Sequence, residues 1–177
     1  FSMARLDTAF RGIGDDVGTL GFNQPVVADI DGDGDLDVLV SSLYPNSPFQ
    51  SIYLYANVGS QKAPNIKKRP EEITSELDLG AYSSPTWIDD ADHRGVLVGN
   101  SDGNITLFSY SIDGVTPLLR REGRYATIPG LFNAVPTAGD IDGDGRAEII
   151  VGSADGNNLV LMRIQGSRLV QGEWNLD

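Results

Sequence analysis

Asp29-Ile-Asp31-Gly-Asp33-Gly34-Asp35-Leu-Asp37 recurs with identical spacing as Asp140-Ile-Asp142-Gly-Asp144-Gly145-Arg146-Ala-Glu148. Both stretches carry acids at positions 1, 3, 5 and 9 and glycine at position 6. So many carboxylates in nine residues repel one another unless a multivalent cation lies among them. A hard cation with 6 to 8 oxygen ligands at roughly 2.3 to 2.6 Å suits alternating acids, and a glycine lets the chain turn sharply around it. Calcium is the expected ion. Magnesium demands near-ideal octahedral geometry and keeps its waters, so it fits a cage of protein oxygens less well.

In the first loop the expected ligands are the side chains of Asp29, Asp31, Asp33 and Asp37, with the carbonyl of Asp35 at position 7. In the second they are the side chains of Asp140, Asp142, Asp144 and Glu148, with the carbonyl of Arg146. An arginine side chain cannot ligate a metal, so its presence at position 7 supports the backbone assignment. Neither loop is an EF-hand, because position 12 is Val40 or Val151 rather than glutamate. The flanks, Pro25-Val-Val-Ala and Leu36-Asp-Val-Leu-Val40 in the first case, are short β-branched runs without a 3.6-residue period. Each loop is therefore expected to join two strands.

The repetition reaches beyond the loops. Alignment on proline gives three units, opening at Leu20-Gly-Phe-Asn-Gln-Pro25, Leu79-Gly-Ala-Tyr-Ser-Ser-Pro85 and Gly130-Leu-Phe-Asn-Ala-Val-Pro136. Asp102-Gly103 and Asp155-Gly156, set between apolar runs, mark tight hairpins in the second and third units. The first unit instead inserts Leu43-Tyr-Pro-Asn-Ser-Pro-Phe-Gln50. Each unit has room for four strands, the last a polar one such as Leu118 to Tyr125 or Arg168 to Trp174. Four strands per repeat at roughly 40 to 50 residues is the pattern of a β-propeller blade.

The expectation is an all-β chain, one domain over residues 1–177, with four-stranded antiparallel blades at about 20–78, 79–129 and 130–177 and a partial strand before them. Propellers close with about 4 to 8 blades. Three blades therefore imply a piece of a larger propeller, a ring completed by a second copy, or an unusual closure, and the absence of an initial methionine favours the first. Open blade edges would favour self-association.

The Asp-x-Asp-Gly-Asp-Gly-x-x-Asp core followed by Val-Leu-Val resembles the FG-GAP repeats of integrin alpha-subunit propellers and the related bacterial VCBS repeats. So does Asn57-Val-Gly-Ser60-Gln-Lys-Ala-Pro64, which is similar to a stretch common in the bacterial version. The resemblance implies a calcium ion at each competent blade and a propeller used for extracellular binding. A fold fixes the scaffold better than the task.

The second unit departs from the pattern. Its loop, Asp89-Asp90-Ala91-Asp92-His93-Arg94-Gly95, is two residues shorter and has alanine at position 3. No tight calcium site is expected there, and residual weak binding by Asp89 and Asp92 is the less favoured reading. The chain carries 13 basic and 25 acidic residues, a formal charge of -12. Such a surface repels phosphate backbones, which argues against nucleic acid as a partner. The basic run Lys67-Lys68-Arg69 is followed by Pro70-Glu71-Glu72 and reads as a solvated edge. No apolar run approaches the roughly 18 residues of a membrane span, so insertion is not expected. Cysteine is absent, so disulfides contribute nothing.

Catalytic patterns are weak. His93, the only histidine, lies in the shortened loop without a nucleophile motif, and Gly12-Ile-Gly14-Asp-Asp-Val-Gly18 misses the dinucleotide spacing. The chain is not expected to be an enzyme. Asn104-Ile-Thr106 is a glycosylation sequon, meaningful only in a eukaryotic secretory host. Phe22, Tyr82 and Phe132, near the three prolines, are expected to pack between blades, as repetition at matching places suggests. The inserted loop Tyr44 to Phe49 is unique to one unit and is the expected contact for a glycan or protein ligand. The expected function is thus a calcium-stabilised, secreted or cell-surface binding module with two calcium sites. The alternative is an ancillary domain of a larger secreted assembly or of a polysaccharide-active enzyme.

Overall fold

The computed structural model describes residues 23–42, 52–69, 79, 82–113, 116–128, 130–153, 159–165 and 168–171. Twelve strands follow in chain order: β1 (Asn23–Ala28), β2 (Asp37–Ser42), β3 (Ile52–Asn57), β4 (Ile66–Lys68), β5 (Ser84–Asp89), β6 (Arg94–Gly99), β7 (Asn104–Asp113), β8 (Thr116–Thr127), β9 (Ala134–Gly139), β10 (Glu148–Ser153), β11 (Leu159–Gln165) and β12 (Arg168–Gln171). No helix occurs among the described residues. The strands form three four-stranded sheets, β1 to β4, β5 to β8 and β9 to β12, each in sequence order and antiparallel throughout. The chain is all-β, and none of the sheets closes on itself.

The three sheets share one register. Pro25 pairs with Val40, Pro85 with Val98 and Pro136 with Val151. Those valines pair onward with Tyr53, Thr106 and Val160. Each proline sits in the first strand, at a sheet edge, where the missing amide donor does not break an internal ladder. The repeat read from the sequence is thus a repeat of hydrogen-bond register.

Alternation along β6 explains how the sheets stack. Val96 and Val98, with Phe108 of β7, pack against Ala28, Ile30, Leu39, Ile52 and Leu54 of the first sheet. Leu97, Ile105 and Leu107 face the other way, onto Leu131, Ala134, Ile149, Val151 and Met162 of the third. The middle sheet is apolar on both faces because it has a neighbour on both. Burying each of these larger side chains is worth roughly 1.5–3 kcal/mol. Close approach also needs glycine: a Cβ on Gly99 would collide with the Ala134 carbonyl. Strand β5 lies beside both β1 and β9, and Ser84 Oγ donates a hydrogen bond to Gln24 Oε1 across that boundary.

Two expectations fail on side-chain placement. Tyr82 is 42% exposed and Phe132 60% exposed, so neither packs between sheets; Phe22 lies outside the described residues. The residue three before proline, Tyr82 or Asn133, takes a left-handed backbone (φ 60° and 51°). In the third unit that turn buries Leu131 and Ala134 and sends Phe132 outward. Arg69 also departs from the solvated edge predicted for Lys67-Lys68-Arg69. The two lysines are exposed on β4, but Arg69 turns back to Asp31 at 3.2 Å. The sequon residue Asn104 is buried, 9% exposed at the start of β7, so the sheet covers it. The inserted loop 44–49 and the segment before residue 23 lie outside the described residues.

Candidate metal centres

Both repeated acidic stretches connect the first two strands of a sheet, and their backbones are held in the same way. At position 1, Asp29 accepts the amides of Gly32 (2.8 Å) and Gly34 (3.2 Å), and Asp140 accepts those of Gly143 (2.7 Å) and Gly145 (3.0 Å). At position 5, Asp33 accepts the Asp35 amide (2.8 Å) and Asp144 the Arg146 amide (2.9 Å). At position 9, the buried Asp37 and Glu148 accept the amides of Ile30 (2.8 Å) and Ile141 (2.7 Å). Each carboxylate thus folds the loop through one or more amide bonds, and a carboxylate's roughly four acceptor sites are not all used in doing so.

Glycine is required at two places per loop. Position 6 (Gly34, φ 91°; Gly145, φ 85°) was legible from the spacing, but position 4 (Gly32, φ 77°; Gly143, φ 79°) is also left-handed. Two left-handed residues in alternation curl the chain so that successive aspartates converge. In the first loop, carboxylate oxygens of Asp29, Asp31 and Asp33 lie within 4.8 Å of one another. In the second, those of Asp140, Asp142 and Glu148 do. Either cluster can hold a metal ion.

The remaining expected ligands are placed differently. Asp37 lies outside the first cluster; its carboxylate also accepts the amides of Asp31 (3.2 Å) and Asn57 (2.8 Å). Burial pushes its pKa up from 3.8, against the pull of the Asn57 and Ile30 amides. Asp144 lies outside the second cluster, 3.8 Å from Arg163. The Arg146 side chain leaves its loop, and its Nε donates to Asp92 at 2.9 Å.

Arginines unmarked by the sequence reading stand around both loops. Arg69 Nη2 meets Asp31 Oδ2 at 3.2 Å, leaving Asp31 Oδ1 buried without a hydrogen-bond partner. Arg94 donates to the Asp29 carbonyl at 3.0 Å, with its guanidinium 4.8 Å over the Tyr110 ring and 5.8 Å over that of Trp87. Arg163 reaches the second cluster, contacting Asp142 Oδ2 and, at 2.9 Å, Glu148 Oε1. The stretch Asn57–Pro64 supports the first loop from behind. Asn57 Oδ1 accepts the amides of Gly59 (3.1 Å) and Asn65 (2.8 Å), and the turn it makes presents Gln61 to the Gly34 carbonyl at 2.7 Å.

The shortened middle loop acts as a strut. Asp90, its side chain 6% exposed, accepts the amides of Asp92 (2.8 Å), His93 (2.7 Å) and, across the sheet boundary, Ala147 (2.9 Å). Burial works to raise its pKa, but those three amides and His93 outweigh it and hold it below 3.8. The Ala91 amide adds a bond to the Gly145 carbonyl at 3.3 Å. Asp89 and Asp92, the acids considered for residual weak binding, are 3.6 Å from Arg94 and 2.9 Å from Arg146. The three loops therefore form one connected rim, joined by Arg94 on one side of the middle loop and by Asp90 and Asp92 on the other.

Compared with protein-family models, with curated proteins and with solved structures, the chain gives no match.

Proposed function

We propose that this chain is a calcium-stabilised binding module, built from propeller-type repeats of the FG-GAP and VCBS kind and working outside the cell without catalysis. The observation that carries the calcium reading is the first loop. Three aspartates converge within 4.8 Å. Their loop is already folded by amide bonds, and Asp31 Oδ1 is a buried acceptor with nothing to accept. Asp29, Asp31 and Asp33, with the Asp35 carbonyl, would hold the ion; Asp140, Asp142 and Glu148 are the counterpart set. An all-oxygen donor set of this kind suits a hard cation.

The role of the ion is structural. A site present only in the folded chain stabilises it by about 2.7 kcal/mol at a hundredfold excess of ligand over Kd. Millimolar calcium outside cells supplies that excess even for a site of roughly 10 µM affinity. The propeller reading is supported by the common register and by the face-to-face stacking of three four-stranded sheets. The ligand class is a glycan or a protein, met by loops on a rigid scaffold.

The test is a pair of thermal melts with calcium and with EGTA. Chelation is expected to lower the Tm by about 5–10 °C, and Asp31→Ala to remove the first loop's share of that difference. An unchanged melt after full chelation overturns the calcium reading. Glycan-array binding that disappears on chelation supports the recognition role, whereas turnover of acidic or plant polysaccharides would overturn the non-catalytic one.

A further inference from the structure

From the placement of Arg163 we infer that the second acidic loop is closed by a cation of the protein's own, the Arg163 guanidinium, which takes the place of the metal, so that the native chain binds calcium at the first loop only. The inference rests on the calcium reading of the first loop and narrows it from two ions to one.

The register places Arg163 directly across β10–β11 from Glu148. Its Nη2 donates to Asp142 Oδ2 and forms an ion pair, without a hydrogen bond, with Glu148 Oε1, so that it meets two of the three carboxylates that converge there, while Nη1 stands 3.8 Å from Asp144. A calcium ion bound at roughly 2.3 to 2.6 Å from those two oxygens would need the space that Nη2 fills. Two positive groups cannot share it, so guanidinium and metal are alternative occupants. Arginine suits the role: its planar fork presents several donors at once and its charge is permanent. Glu148 is fully buried, and a buried acid without a counter-charge would be costly.

The first loop lacks this device. Val38 pairs with Tyr55 as Ile149 pairs with Met162, so Ala56 holds the place in β3 that Arg163 holds in β11. An alanine reaches no carboxylate. Position 9 there is Asp37, one methylene shorter, whose charge is met by three backbone amides instead. Arg69 touches only one oxygen of Asp31, and Arg94 comes no nearer than 3.9 Å to the Asp29 carboxylate. Among the described residues, no single cation spans the three converging aspartates.

Calcium counted by atomic emission on gel-filtered protein, with titration calorimetry for affinity, tests this. Wild type is expected to hold one ion, Asp31→Ala none, and Asp142→Ala still one. Arg163→Met keeps the aliphatic stem and removes the fork; it is expected to hold two ions, with second-loop affinity raised at least about tenfold, the equivalent of one lost charge-assisted contact. Adding Asp142→Ala to it returns the count to one. A folded Arg163→Met with the wild-type count overturns the inference, as does a wild type holding two ions that loses one through Asp142→Ala. That second comparison decides the matter if Arg163→Met does not fold. A wild type with no ion beside an Arg163→Met with one would overturn the first-loop reading and leave the inference standing; no ion in either overturns both.

Discussion

The loops at 29–37 and 140–148 are nearly the same object in backbone and differ in what surrounds them. Positions 1, 5 and 9 accept equivalent amides, and positions 4 and 6 are left-handed glycines in both. Yet one is backed by Ala56 and the turn carrying Gln61, the other by Arg163. The acidic pattern thus specifies the shape of a cage. Its electrostatic completion is decided by residues in the next strand, which the pattern does not include.

Four substitutions probe that difference. The largest expected effect is at position 9. Asp37→Ala strands the buried amides of Ile30 and Asn57 and the part-buried one of Asp31, and should cost about 3 kcal/mol in a urea melt. Glu148→Ala strands only the Ile141 amide and frees Arg163, and is expected to cost less. Equal losses would show that the two acids do the same work after all.

Next is the strut between loops. Because the Asp90 pKa is lowered in the fold, the stability it contributes is complete above 3.8 and is lost as the pH falls through its folded value. Asp90→Asn should lower stability at neutral pH by about 1–2 kcal/mol and remove that part of the acid sensitivity. Asp37 works with the opposite sign: its raised pKa makes the buried charge a cost that fades as the pH falls and is gone below 3.8. An acid titration in which Asp90→Asn keeps the full wild-type slope would contradict the assignment.

The smallest effect is local to one loop. Gln61→Ala removes the bond to the Gly34 carbonyl and should cost about 0.5–1.5 kcal/mol, while leaving the second loop untouched. Measured by amide exchange, the loss of protection should be confined to residues 29–37.

Much of the scaffold could be read from the chain because its signals are local. The β-branched runs beside each loop became β1, β2, β9 and β10, and the proline anchors gave the register of all three sheets. Asp102-Gly103 turned the middle hairpin as its composition implied, with Gly103 at φ 73°. What escaped is what depends on neighbours in space. Tyr82 and Phe132 matched as aromatics, but a left-handed turn before proline decides which residue points inward. Arg69, Arg94 and Arg163 lie far along the chain from Asp31, Asp29 and Asp142, and only Arg163 could have been found, by extending the hairpin register from Val151–Val160 to Glu148–Arg163. Asp90 drew no role from its position in the chain, because one of the three amides it accepts, that of Ala147, belongs to another sheet's loop.

The prolines have an effect beyond marking register. Pro25, Pro85 and Pro136 each leave a gap in the donor row of a rim strand, at the same height in all three sheets. A stray strand cannot zip along such a border without losing a rung. Lateral, fibre-like growth is therefore discouraged along the first strand of each sheet, and a copy of the motif approaching that side is better accommodated by layering face upon face.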